Sequence, residues 1–494
     1  MANIVFSTSK NGQKTCSANG TYLHSSYDPQ KEANRFVESI KHDFIPQAIV
    51  ITEPALSYCA AELRKKFSTI PLIAIRYDTS FKDTDFLWDL CIHYTQCNQL
   101  LNQLGEEILL STIFLSWQPS QNAFVQEHKQ TWSKIKSMLK TAQDILATRK
   151  FFARRWIKNV IKFCILTENT AQITKGDSPI LIAASGPSLK TSLPIIKKNR
   201  KSFFLIALSS AYSTLISEEI VPDLCISTDG GYWAKRHIAN CKIPLALSPE
   251  SAASAQLLNR LQIIPLIYAD APESYLLNLC GFDSQQAKRN GTVSGTAAEL
   301  ALSITSGPVF ACGLDLENNS KGFQHTQPNI LELDKSINDY RLFPKEQRVF
   351  PSQLKNESLQ VYQNWFSTRD SSFASRFFRL ATNNYKFNNN LGNIASINWD
   401  DFSYITKNSC KSTIFPTIKT NQNKLPSRQE RLSRIKDTLE NLKKNLPEDL
   451  WISSLLPTDY LLYKRTNDFS KIEKNFALEI DFLGNFVKSL EQAI

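Results

Sequence analysis

Polar side chains able to hold or transfer an anionic group stand where apolar runs end. Ile180–Ala184 stops abruptly at Ser185-Gly186-Pro187-Ser188, Phe203–Leu208 stops at Ser209-Ser210, and Leu224–Ile226 leads through Ser227-Thr228 to Asp229-Gly230-Gly231. Pro308–Cys312 ends in Gly313-Leu314-Asp315-Leu316, and His325 follows in a polar loop. A glycine directly after a buried strand lets backbone approach a ligand without a Cβ in the way. Proline sets the next turn, and Ser188 has the side chain of an N-cap for a helix opening at Leu189, whose free N–H groups and positive dipole end suit phosphate. Gly291-Thr292-Val293-Ser294 offers a second helix start, with Thr292 or Ser294 as cap; a tight helix–sheet contact explains its small residues equally well. Asp229 reads as a ligand contact or as a turn holder, and so does Asp315. Asp223, after Pro222, reads as a turn residue. His325 brings a near-neutral imidazole that can take up or give a proton, or is simply a solvated loop residue; His237 is the alternative.

These residues need elements that bring them to one edge. Runs apolar on both faces, separated by helix-length segments, indicate a parallel sheet covered by helices, which binds ligands outside the carboxyl ends of its strands. The expected fold is therefore α/β, with a central Rossmann-like doubly wound sheet over 171–400. A smaller N-terminal α/β domain over 1–125 has strands at Pro46–Thr52 and Pro71–Tyr77, a helix near Ala60–Phe67 and a turn and helix start at Ser26-Tyr27-Asp28-Pro29; nothing in it assembles a catalytic cluster. Further helices are expected over Tyr340–Phe366 and Phe373–Leu380. A C-terminal helical domain occupies 425–494, with narrow apolar stripes over Arg428–Leu446 and Phe469–Ile494. Such helices could serve as a lid, a homo-oligomer contact or a dock for a substrate protein.

Between the first two domains, 126–170 reads as a basic helical linker. Lys129–Lys162 contains ten basic residues against one acid, Asp144, and so supplies nine of the eleven excess charges of a chain with net charge +11. A solvated helix face is the plain reading; contact with an acidic partner or a nucleotide phosphate is the sharper one. No nucleic-acid-reading motif accompanies the charge. At 494 residues, 42% hydrophobic and 21% charged, the chain has globular composition. No apolar run reaches the roughly 20 residues that span a bilayer, and the start lacks a basic region followed by an apolar core, so the expected location is cytoplasmic with no membrane partner. The ten cysteines form no C-x-x-C pair and read as buried thiols; six scattered histidines argue against a zinc site, and no metal is expected.

In order along the chain, these pieces resemble a known family. Ser185-Gly186-Pro187-Ser188-Leu189-Lys190 resembles the G-N-G-P-S-L signature of bacterial sialyltransferases and of the motility-associated factor (Maf) flagellin glycosyltransferases. Ile220-Val221-Pro222-Asp223 with Asp229, Gly291-Thr292-Val293-Ser294, and Gly313-Leu314-Asp315-Leu316 with His325 follow in the family's order; Ser26-Tyr27-Asp28-Pro29 with Glu32-Ala33 is similar to its N-terminal region. Ala184 and Ser185 stand where the family has glycine and asparagine, and a hydroxyl is shorter than an amide. The resemblance implies transfer of a nonulosonic acid of the pseudaminic or legionaminic type from a CMP-sugar, a co-substrate with no other cofactor, to Ser or Thr of flagellin. On that reading Ser185, Gly186, Pro187 and Ser188 hold the nucleotide and its phosphate. Ser209 or Ser210 lines the nucleotide pocket, Thr292, Ser294 and Asp315 add ligand contacts, and His325 and Asp229 are catalytic. An archaeal pterin pyrophosphokinase family also resembles the central domain, which implies magnesium and ATP instead. A flagellin-binding factor without catalysis is the third reading.

Overall fold

The computed structural model describes residues 3–493 except 233, 270, 318–324, 331, 332, 334–356, 382–386, 410–413 and 446–448. Two compact units divide the chain: Met1–Ala153 with Pro447–Glu479, and Arg154–Leu446 with Ile480–Ile494.

In the first unit, β1 (Ile4–Thr8), β2 (Lys14–Ala18) and β3 (Thr21–Tyr22) form an antiparallel meander. Asp28 then caps α1 (Pro29–Ser39), accepting from Lys31 N at 2.9 Å, with Pro29 in the first turn where its missing N–H costs nothing. Next come β4 (Ala48–Thr52), α2 (Cys59–Lys66), β5 (Leu72–Arg76), β6 (Leu90–His93), α3 (Gln99–Leu110), β7 (Thr112–Ser116) and α4 (Gln118–Ala123). The parallel sheet has the order β6-β5-β4-β7, and every residue of β4 and β5 is buried. Beyond β4, Glu53, Ala55 and Ser57 all take left-handed φ (40°, 47° and 60°). Arg76 holds that segment: its guanidinium donates to Asp85, Glu53, the Ala55 carbonyl, Ser57 and Thr84 at 2.7–3.1 Å. With its five donors satisfied, this buried ionic network is a brace for the loop.

One uninterrupted helix, α5 (Val125–Leu166), contains the whole basic run. The second unit then lays down β8 (Asn169–Ile173), β9 (Ile180–Ala183), α6 (Leu189–Lys198), β10 (Phe204–Leu208), α7 (Ser209–Ser217), β11 (Leu224–Ser227), α8 (Lys235–Ile238), β12 (Leu245–Leu247), α9 (Ala255–Arg260), β13 (Gln262–Ile267), α10 (Pro272–Leu279), β14 (Gln285–Gln286), α11 (Val293–Ile304) and β15 (Val309–Cys312). Strands β16 (Phe377–Leu380), β17 (Ser396–Ile397) and β18 (Ile418–Thr420) complete an eleven-stranded sheet of order β17-β16-β15-β9-β10-β11-β12-β13-β8-β18, with β14 on β13; all pairings are parallel except β18 with β8.

Alternation along the strands builds two cores, one on each face. Ile180, Ile182, Phe204, Ile206, Leu224 and Ile226 pack toward α11, while Leu181, Ala183, Leu205 and Ala207 pack toward Leu189 and Leu193 of α6 and Leu215 of α7. Each fully buried Leu or Ile contributes roughly 1.5–3 kcal/mol, so a strand with no polar face is stable only inside such a sandwich. Ala297, Ala298 and Ala301 are fully buried because α11 crosses close over β9, β10, β11 and β15.

The helix expected over Phe373–Leu380 is instead a single turn, Ser371–Ala374, followed by β16. Phe377 enters the α11-side core and Leu380 the opposite one, a period of two. β15 offers β16 a free edge, with Phe310 opposite Phe378 and their rings stacked at 5.5 Å; this partner is remote in sequence. Of the helix expected over Tyr340–Phe366, the C-terminal part lies in the helix Glu357–Ser367 and residues 340–356 lie outside the described residues. The tail forms helices Arg428–Lys444, Asp449–Leu455, Pro457–Thr466 and Ser470–Gln492. No described helix is long and apolar enough to cross a membrane. The nine described cysteines are free thiols, eight of them buried.

Candidate functional site

β9 lies between β10 and β15, so the chain leaves its carboxyl end toward one neighbour while the other returns from far along the sequence. That is the switch point where doubly wound sheets open a ligand crevice. The turns after β9 and β15 touch there: Gly186 N donates to the Gly313 carbonyl at 2.8 Å. A Cβ on Gly186 would sit 2.5 Å from that oxygen and 2.9 Å from the Asp315 carboxylate, and one on Gly313, whose φ is +66°, would sit 2.1 Å from the Ala184 carbonyl. Both positions require glycine.

Asp315 is fully buried and points at the start of α6. It accepts from Ser188 N at 2.6 Å and from the Ser188 hydroxyl. Ser188 itself makes no side-chain cap, contrary to the N-cap reading, because its hydroxyl is drawn to this carboxylate. The first positive end facing the crevice thus already holds an anion, one of the protein's own.

The carboxyl ends of β9 and β10 are joined by hydroxyls. Ser185 Oγ and Ser210 Oγ lie 2.8 Å apart, while Ser209 is buried as the first residue of α7. Residues 325–329 are tied to this edge: Thr326 donates through N to the Ser185 carbonyl and through Oγ1 to the Gly186 carbonyl, each at 2.6 Å, and Asn329 Nδ2 donates to the Ser210 carbonyl at 2.9 Å. Pinning Thr326 places His325 beside His237, with ring centroids 6.2 Å apart. Burial, aided by His325, pushes His237 down to about 4, so its ring is neutral at physiological pH. Asp229 is exposed at the end of β11, and its Oδ1 accepts from Gly231 N at 2.7 Å, shaping the turn that leads into α8 and His237. The two histidines, 88 residues apart, are brought together; Asp315 is turned inward, and Asp229 stays open.

At α11, Thr292 is in extended backbone without a side-chain cap, and its Oγ1 lies 2.9 Å from Ser294 Oγ. The cap is replaced by this hydroxyl pair.

Several residues on this edge escaped the sequence reading. Arg289 pairs both ends of its guanidinium with Glu250 at 2.5 and 2.9 Å and stacks over Tyr268 and Trp156. Burial pushes Tyr268 up to about 12. Trp156 packs on Gly230, Asn159 Nδ2 donates to the Glu250 carbonyl at 2.7 Å, and Lys162 Nζ donates to the Ala253 carbonyl at 2.7 Å. The basic run signalled this helix; which face met the sheet was not readable. Tyr362, in the helix Glu357–Ser367, is pushed up by burial and by the charge of Asp229. Among the described residues, no group of three or more His, Cys, Asp and Glu is placed to hold a metal ion. An open cavity of about 420 Å³ in the first unit is lined mainly by apolar side chains such as Leu110, Phe114, Leu139 and Leu461, with Lys150 and Arg465 as its charged groups.

The fold is that of a Rossmann-like α/β protein, with the candidate site at the switch point of its sheet. The family model described as 6-hydroxymethylpterin diphosphokinase MptE-like matches residues 154–321, opening where the second unit opens. An uncharacterized protein of Treponema pallidum (strain Nichols) is 28% identical over 305 residues, which is 62% of this chain and 67% of the relative. The structure of the Maf glycosyltransferase from Magnetospirillum magneticum AMB-1 is similar over 99% of this chain and 86% of its own, at 11% identity and a TM-score of 0.49.

Proposed function

We propose that the protein is a glycosyltransferase that moves a nonulosonic acid from a CMP-sugar to a Ser or Thr hydroxyl of flagellin, and so serves flagellar assembly. The observation that carries this reading is the His237–His325 pair beside the Ser185–Ser210 edge, with Asp229 open at the next strand end but one. In the step envisaged, the acceptor oxygen bonds to the anomeric carbon as the bond from that carbon to the CMP phosphate oxygen breaks. The hydroxyl proton passes to a ring nitrogen of His325, and CMP leaves as an anion that needs no proton. His237, kept neutral, adds no positive charge to oppose that protonation. Asp229 would hold sugar or ribose hydroxyls, and the Ser185–Ser188 turn with Ser210 would shape the nucleotide end.

The match to the MptE-like model favours a second reading, diphosphoryl transfer from ATP to a hydroxymethylpterin. Its magnesium ions would draw on Asp229 and Asp315, and Asp315 is already committed to Ser188, which ranks this reading second.

Incubating the protein with flagellin and a CMP-nonulosonate, then weighing intact flagellin, tests the proposal. A sugar-sized mass gain, lost in His325→Ala and in Asp229→Ala, is expected. Formation of AMP from ATP and the pterin, or flagellin bound with its mass unchanged, would replace it by the second reading or by a non-catalytic binding role.

A further inference from the structure

We infer that the open cavity of about 420 Å³ in the first unit is a binding site for a small anionic amphiphile, an apolar chain that ends in a carboxylate. The site belongs to the first unit alone and does not depend on the function proposed for the sheet edge of the second.

Four elements wall the cavity. Leu110 ends α3, and Phe114 lies on β7, the edge strand that pairs with β4 on one side only. Leu139, Leu146 and Lys150 stand on α5 at positions i, i+7 and i+11, one stripe of a helix, roughly 16 Å long at 1.5 Å per residue. Leu461 and Arg465 are one turn apart on the helix Pro457–Thr466. The carbonyls of Lys464 and Arg465 accept from Gln47 Nε2 at 3.3 Å and Ile45 N at 2.7 Å, which ties the end of that helix to the segment entering β4. Apolar elements fixed in this way ordinarily close on one another, because interiors hold few voids larger than a water molecule. Here a volume in the range of small-molecule sites stays open, and its walls are apolar with few polar groups, as in such sites.

The two cations select the charge of the ligand. Their sequence neighbours are neutralised: Arg149 donates to Glu106 and Glu107, and Lys464 donates to Asp449 at 2.8 Å. Among the described residues neither Lys150 nor Arg465 forms an ion pair, and no acid lines the cavity. Arg465 meets the Phe44 ring at 4.3 Å, a contact that supplies no acceptor oxygen to its N–H donors. A solvated lysine needs no partner, so Lys150 by itself points to nothing. What points to a ligand is a cation at the end of an apolar stripe, in a cavity without an acid. A carboxylate held there lays its alkyl chain along Leu146 and Leu139 and removes both apolar surfaces from water.

Calorimetry on the full chain tests this with decanoate, decanol and decyltrimethylammonium, which share a chain and differ in the head group. Decanoate should bind, and the other two should bind roughly tenfold more weakly, the size of one charge-assisted hydrogen bond. Ala147→Phe turns an exposed lining position of α5 into a ring that fills the cavity, and should abolish binding of all three. Lys150→Met combined with Arg465→Met should weaken decanoate roughly tenfold and leave decanol unchanged, which shows the cavity itself intact; Lys150→Arg with Arg465→Lys should keep the decanoate affinity. Absence of decanoate binding to the wild type, or full affinity in Ala147→Phe, would overturn the site. Decanol bound as tightly as decanoate, or full decanoate affinity in the double Met variant, would overturn the anionic class of the ligand.

Discussion

Asp315 separates a structural carboxylate from a ligand contact. It is fully buried, and Ser188, 1% exposed, directs both its N–H and its hydroxyl at it. Asp315→Ala leaves two buried donors without an acceptor, at about 1–3 kcal/mol each, so the switch-point turn should lose about 2–6 kcal/mol. Asp315→Asn keeps one oxygen for Ser188 N and turns an amide N–H toward the Ser188 oxygen, which can accept. What it loses is the charge at the helix start, about 0.3–2 kcal/mol. The assay is native-state hydrogen exchange of peptides covering β9 and the start of α6, which reports the opening free energy of that region without assuming that the two units unfold together. Exchange should accelerate strongly in the Ala variant and modestly in the Asn variant. If Asp315→Ala leaves protection at the wild-type level but abolishes nucleotide binding, the carboxylate faces ligand and the reasoning fails.

Two further predictions concern the fold. Gly313→Ala combines a φ of +66° with a Cβ 2.1 Å from the Ala184 carbonyl, and should lower stability of the second unit by about 3 kcal/mol or more, read as a fall in urea midpoint; a midpoint within error of wild type would contradict it. His24, 2% exposed, accepts from Leu56 N at 3.0 Å, and burial pushes it down to about 3 from an ordinary value of 6.5. Its folded form therefore stays neutral while the unfolded chain takes up a proton below pH 6.5, so stability falls as pH drops toward 3. Between pH 6.5 and 4 the loss is about 3 kcal/mol. Glu32 and Glu53, both pushed up by burial, act in the opposite sense, so the test is the difference between wild type and His24→Gln, which should shrink the acid loss by about that amount.

Local sequence was sufficient wherever one segment met its own physical requirement. Runs such as Ile180–Ala183 and Phe204–Leu208 have no polar face and could only be buried strands of a parallel sheet. Asp28-Pro29 carries its own cap, Gly186 marks a turn that a Cβ would block, and the basic run is a single helix as its pattern predicts. What tertiary structure alone decided are choices between partners far apart in the chain. Phe377–Leu380 became a strand because β15 had an edge to pair. Ser188 met Asp315 across 127 residues, so the helix start that reads as an empty phosphate cradle is filled from within. His237 met His325, and the face of α5 bearing Lys162 met the loop after β12, because the sheet gathers its strand ends at one edge regardless of their order. Spacing along the chain encodes which residues can do chemistry; only the pairing of remote strands determines which of them meet, and which are already engaged.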